Sequence, residues 1–230
     1  MKNTIKTFAL FLTAGAMLAS CDSYLDRQPD EPLTSDNIFK KQKTTLQYLT
    51  NIYSYQPDYE APACVSSNDD IPWEACSDET SFAYLDRSYT QINYNSWNPS
   101  MYLYRNDTYN TPYKGIREAN YFMQHVHECP ELTDTDKGYY YNEARFLRAH
   151  FYAMMLPVYG PVFLIGDDPV DFTQSGLDQR ERNTWDECVN YVANELWEAA
   201  KGLPDSWPDI YYGRATKGAA LAARARLLLY

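Results

Sequence analysis

Residues 133 to 156 carry one long apolar stripe at helical spacing. Tyr140, Ala144, Leu147, Phe151 and Met154 recur every three or four positions through YYYNEARFLRAHFYAMML. A helix with one apolar face needs a partner surface, and the rest of the chain supplies further helices. Thr133 to Asp136 open this one with acidic residues near its positive end. Pro157 is expected to end or kink it. Upstream, TTLQYLTNIYSY at 44–55 puts Leu46, Leu49, Ile52 and Tyr53 on one face. Thr111 and Pro112 read as an N-cap and a first-position proline. Ile116, Ala119, Met123 and Val126 then form a stripe to about residue 127.

Thr184 and Glu187 make an S/T-x-x-E capping box, followed by Val189, Val192, Leu196 and Ala199. Gly202 stands where a left-handed cap is expected. A last helix opens near Thr216, and Ala219, Ala220, Ala222 and Ala223 leave its surface thin enough for a close neighbour. No Gly, Asn or Pro stop follows its three leucines, so the chain is expected to continue beyond Tyr230. Residues 56–110 show no helical period and are rich in Pro, Asn, Asp and Ser; 159–165 read as extended and 166–183 as a polar loop. Two helix pairs emerge, about 113–127 with 136–156 and 185–201 with 216–230. Short links favour antiparallel neighbours. The expected fold is all-α, a tetratricopeptide-like helical-pair solenoid with long irregular loops, although no 34-residue period is visible.

The first twenty residues are a separate matter. Lys2 and Lys6, an apolar core between Phe8 and Leu18, and Ala19-Ser20 make a signal peptide. The core falls short of the about 20 residues that a spanning helix needs. Leu18-Ala19-Ser20-Cys21 resembles the bacterial lipobox, in which the cysteine thiol takes a diacylglycerol and the freed amino group a further acyl chain. Several chains hold a protein to a membrane firmly where one does not. Cys21 is then a lipid attachment point and Asp22 to Asp36 a polar leash. The expected organisation is a signal peptide over 1–20, a leash and N-terminal segment over 21–43, and a helical domain over 44–230.

The net charge is −11, and loss of the two signal lysines leaves −13. That balance argues against nucleic acid, whose phosphates need Lys and Arg. Cys64, Cys76, Cys129 and Cys188 remain after Cys21, an even count that permits disulfides in an exported chain. Cys64 and Cys76 share one loop and are the candidate pair, but four free thiols are slightly preferred. No CxxC supports zinc. His125 and His127 stand two apart and point off a helix in different directions, so they make no metal pair. No GxSxG and no phosphate-cradling glycine loop occur. Asp78-Glu79 is better read as a solvated acidic loop than as half of a glycosidase pair. The reading is a protein that is not an enzyme, with no cofactor and no metal.

Several stretches together carry a family likeness. CDSYLDRQPDEPLTSDNIF after the lipobox, YKGIREAN at 113–120, EARFLRAHFYAMMLPVYGPVFLI at 143–165 and RATKGAALAARARLLLY at 214–230 resemble the SusD/RagB family of outer-membrane lipoproteins of Bacteroidetes. Pro157 departs from the family pattern, so the helix is expected to finish a turn early. Family chains are also considerably longer. The resemblance implies a tetratricopeptide-like scaffold at the cell surface, anchored in the outer membrane, that binds glycan oligomers. It also implies a partner, a TonB-dependent transporter of the SusC type, and no covalent chemistry. A structural adaptor of an outer-membrane complex and a peptide-capturing lipoprotein are the alternatives.

A glycan site needs flat rings for C–H faces and amides or charged groups for hydroxyls. SYTQINYNSWNPSMYLYRNDTYNTPY at 88–113 has both, and its aromatic content is well above the 16% of the whole chain. Tyr94, Trp97, Asn98, Tyr102 and Tyr104 are the candidates there, with Trp73 and Tyr84 just upstream. Aromatic anchors packing a long loop onto helices have the same composition, so both roles stay open for each ring.

Overall fold

The computed structural model describes residues 35–56, 77–79, 94–96, 98, 109–167 and 181–229. A four-residue helix, α1 (Ser35–Ile38), belongs to a first unit ending at Ile38. The second unit runs from Phe39 and holds the other helices: α2 (Gln42–Tyr53), α3 (Asn110–His125), α4 (Asp134–Tyr159), α5 (Trp185–Gly202) and α6 (Lys217–Leu227). Single 3₁₀ turns lie at Val126–Glu128 and Asp209–Tyr211. No strand occurs among the described residues.

Local chemistry places the helix starts. Thr133 Oγ1 accepts from the Asp136 amide at 3.1 Å, with Asp134 and Asp136 in the first turn of α4. Thr184 and Glu187 form the full reciprocal capping box on α5, with bonds of 3.3 and 2.9 Å. Those bonds from Thr184 hold the Glu187 carboxyl below its ordinary pKa. Thr216 Oγ1 caps α6 through the Ala219 amide at 3.2 Å. Only α3 differs. It begins at Asn110, capped by Tyr109 without a side-chain bond, so Thr111 is not its N-cap and Pro112 is its third residue. Pro112 lacks an N–H at a position where none finds an intrahelical partner, so the earlier start loses no bond.

Two helix ends depart from expectation. Helix α4 runs through Pro157 to Tyr159 and does not finish a turn early. Pro157 lies on the exposed side, and the stop comes from Gly160, at φ 68°, whose amide bonds Leu156 O at 2.9 Å. Gly202 ends α5 but is not left-handed; the cap is Leu203, extended at φ −85° and ψ 147°. Pro204 follows, and the residue before a proline is driven out of the helical region.

The helices pack in series, α3 on α4, α4 on α5 and α5 on α6, with α2 against α3 and α4. Gly115, early in α3, meets Phe151, late in α4; Arg145 and Tyr152 of α4 meet Glu195 and Tyr191 of α5 in reversed order. Both pairs are therefore antiparallel. The core is mainly apolar, with Ile52, Ile116, Phe122, Leu147, Phe151 and Leu196 buried, but it also encloses Glu143, Arg148 and Glu195. Met154, expected inward, is half-buried, and its neighbour Met155 takes the core position. Of the α6 alanines only Ala220 is buried, so the close-packed face is narrower than the alanine run suggests. His150 is packed rather than on the surface: it stacks on Phe146, and burial lowers its pKa. Cys129 and Cys188 are free, buried thiols, while Cys64 and Cys76 lie outside the described residues.

Gly115 sets the α3–α4 spacing. A Cβ there would stand 2.5 Å from Phe151 Cε2, and that ring is wholly enclosed and cannot swing away. Gly115→Val should therefore destabilise by about 1–3 kcal/mol through overpacking. Urea unfolding of the variant beside Gly115→Val/Phe151→Leu checks this: the second change should recover part of the lost midpoint.

Candidate functional site

Of the residues singled out from the sequence, the structure describes two. Tyr94 is 67% exposed, and Asn98 is also exposed. Between them Asn95 sits at φ 53°, a left-handed turn that asparagine tolerates. Cys21, Trp73, Tyr84, Trp97, Tyr102 and Tyr104 lie outside the described residues. Of the two histidines read as no metal pair, His125 binds Glu128 at 2.8 Å and stacks on Phe39, while His127 packs on Tyr141.

Two buried charge clusters brace the helices. In the first, Arg148 of α4 is almost fully enclosed. It donates to Asn120 Oδ1 and Asp167 Oδ1, both at 2.6 Å, and to Glu195 Oε2. Arg145 holds the other Glu195 oxygen at 2.6 Å. Burial pulls the Arg148 pKa down, but facing Tyr191, Glu195 and Asp167 outweigh it and the net shift is upward. Burial pushes the Tyr191 hydroxyl up to about 12.

This cluster holds the segment after α4. Phe163 and Ile165 amides bond the Tyr113 and Tyr152 hydroxyls at 3.0 and 2.8 Å. Asn183 takes the Leu164 amide at 3.0 Å, and Asn120 donates to Gly166 O at 2.9 Å. Side chains thus satisfy a backbone that no sheet partners.

The second cluster surrounds Glu143 of α4, whose side chain is fully buried. Glu143 Oε1 accepts from the Tyr53 hydroxyl and, at 2.8 Å, from Arg214 Nε; Oε2 accepts from Arg214 Nη2. Tyr53 in turn accepts the Ala215 amide at 3.0 Å. The Arg214 guanidinium lies against three rings: Trp207 at 4.1 Å, Tyr140 at 4.8 Å and Tyr211 at 5.1 Å. Trp207 Nε1 donates to Ala215 O at 2.7 Å, which fixes the loop leading into α6. Burial, then Glu143, push the Tyr53 hydroxyl far above the usual phenol range. Burial lowers Arg214, yet its bonds to Glu143 leave it net raised.

Above this cluster a cleft of about 280 Å³ opens, close to the lower end of ligand-pocket sizes. Leu46, Leu49, Thr50 and Tyr53 of α2 form one wall, Glu143 the floor, and Tyr211, Tyr212, Gly213 and Arg214 the other wall. Tyr212 is 97% exposed, and Gly213 at φ 93° turns the chain beneath it. Sequence reading missed this loop, although Trp207, Ile210, Tyr211 and Tyr212 crowd WPDIYY in the sequence.

The SusD-like family profile, described as "starch-binding associating with outer membrane", matches residues 23–229. No curated protein matches the chain. Among solved structures, a SusD-like protein from Bacteroides fragilis is 27% identical at a TM-score of 0.71, over 85% of this chain and 36% of that one. A laminarin-binding SusD-like protein, 19% identical, superposes at 0.67 over 84% and 41%. Surface glycan-binding protein A from Bacteroides uniformis, 20% identical, superposes at 0.65 over 82% and 42%. The chain thus spans well under half the length of these proteins. With the profile covering nearly all of the sequence and the same helical fold in each neighbour, the chain belongs to the SusD-like family.

Proposed function

We propose that the protein is a cell-surface lipoprotein that captures glycan oligomers and passes them to a TonB-dependent transporter of the SusC type. The family match over residues 23–229 carries this reading, since the family is described as starch-binding and associated with the outer membrane. Two structural neighbours, named for binding laminarin and surface glycans, support the ligand class. Cys21 is the proposed lipid attachment and fixes the protein to the outer membrane. The helices form a rigid scaffold, and the work of binding falls to the aromatic residues of the long segment: Trp73, Tyr84, Tyr94, Trp97, Asn98, Tyr102 and Tyr104. Rings of low ordering cost stack on sugar C–H faces, while Asn98 pairs with hydroxyls. The outward Tyr94 beside a left-handed Asn95 suits such a contact. The protein binds and hands over; it makes and breaks no covalent bond in its ligand.

Affinity electrophoresis of the full-length mature protein through a polysaccharide panel tests the reading. At least one glycan should retard migration. Trp97→Ala and Trp73→Ala should each weaken retention about three- to tenfold, as loss of an aromatic contact does, with transporter association unchanged. Failure to bind any glycan while peptides bind overturns it.

A further inference from the structure

Neither Tyr94 nor Asn98, the described members of that proposed aromatic set, lines the cleft between α2 and the loop before α6. We infer that it is a second carbohydrate contact, taking one neutral pyranose ring.

The argument starts from unspent hydrogen-bonding capacity. A carboxylate offers about four lone-pair positions. Tyr53 and the two Arg214 donors occupy three of those on Glu143, whose fully enclosed side chain offers nothing further to a ligand. Arg214 has five N–H donors. Two go to Glu143 and one toward Tyr140, so further donors remain on a group that lines the cleft. Thr50 spends its hydroxyl proton on Leu46 O at 2.9 Å and keeps acceptor capacity at the rim. The Arg214 donors and the Thr50 hydroxyl therefore border a small space whose walls are otherwise largely apolar.

The charge decides the class. Glu143 and Arg214 neutralise each other inside the wall, and the chain as a whole is acidic, so an anionic ligand gains nothing there. A neutral polyol does. The walls ask for a ring with C–H faces, because the almost fully exposed Tyr212 is among the residues that line the cleft. The volume suits a single ring rather than an oligomer. Leu46 and Leu49 provide the flat opposite side. The ligand class draws on the glycan-capture reading; the location does not.

The test uses the full-length mature protein and methyl β-D-glucopyranoside as probe, read by saturation-transfer NMR. Thr50 and Tyr212 are both exposed, so Thr50→Trp, which fills the cleft, and Tyr212→Ala, which strips its open wall, leave the core intact. The wild type should give ring-proton signals. Thr50→Trp should remove the part of them that survives in Trp73→Ala/Trp97→Ala, and Tyr212→Ala should weaken that part about three- to tenfold. Methyl β-D-glucuronide should bind more weakly than the glucoside, and tighter binding overturns the neutral class. No glucoside signal, or equal signals from wild type and Thr50→Trp, overturns the site. Trp73→Ala/Trp97→Ala should keep that part of the glucoside signal, and Thr50→Trp should keep polysaccharide retention. In the wild type, absence of a glucoside signal with polysaccharide retention present therefore fells this inference alone, and absence of retention with the glucoside signal present fells only the aromatic-loop reading.

Discussion

Arg214→Ala should lower stability by about 3–5 kcal/mol, because it strands a fully enclosed Glu143 carboxylate without its cation. For a chain of this size that is a fall in Tm of roughly 10 °C. The Tyr53 hydroxyl still donates to Glu143, but one neutral donor does not replace two charge-assisted bonds. The loss spreads, since Arg214 also stacks on Trp207, Tyr140 and Tyr211 and so orders the loop into α6. The decisive comparison is Arg214→Met with Glu143→Met. Removing both charges leaves no unpaired ion, and such replacements are often near neutral. Thermal unfolding should therefore place the double variant above the single Arg214→Ala. A double variant as unstable as the single one would show that lost packing, rather than the stranded charge, dominates.

Glu195→Leu should cost a similar amount, about 3–5 kcal/mol, by leaving Arg148 enclosed with Asp167 as its one remaining carboxylate. Asp167 is a weak substitute because its side chain is 80% exposed, where water screens the pair. The reverse change is milder. Arg148→Met leaves Glu195 still held by Arg145 through two bonds, of 2.6 and 3.1 Å. Urea midpoints should rank wild type above Arg148→Met and Arg148→Met above Glu195→Leu. The opposite order of the two variants would mean that Arg145 does not compensate.

The contrast between local and distant information runs through the molecule. Thr184 and Glu187 sit three residues apart, and the bonds of their capping box close within one turn, so the start of α5 is readable from the letters. The stripe of Ile116, Ala119, Met123 and Val126 is equally local, and all four are buried. Helix ends were harder. Pro157 looked like a stop, yet two more helical residues follow it, its ring lies on the exposed side, and Gly160 does the stopping. Gly202 looked like a left-handed cap, but Pro204 sets the conformation and the glycine serves contact instead: the Asn142 side chain occupies the space a Cβ would need.

The candidate cleft was not readable in this way. Its aromatic loop was visible as WPDIYY, but nothing nearby in sequence says that the loop faces α2. Glu143 and Arg214 stand 71 residues apart, and Tyr53 and Ala215 stand 162 apart.

By itself the sequence determined the helices, most of their starts, their buried faces and the family, because caps and stripes act over one to four residues and motifs are contiguous. Only the tertiary structure decided which charges meet, which tyrosines hold the segment after α4, and where a cleft opens. Ion pairs, cation–π contacts and cavities depend on distances through space, and those exist only once the helices have stacked.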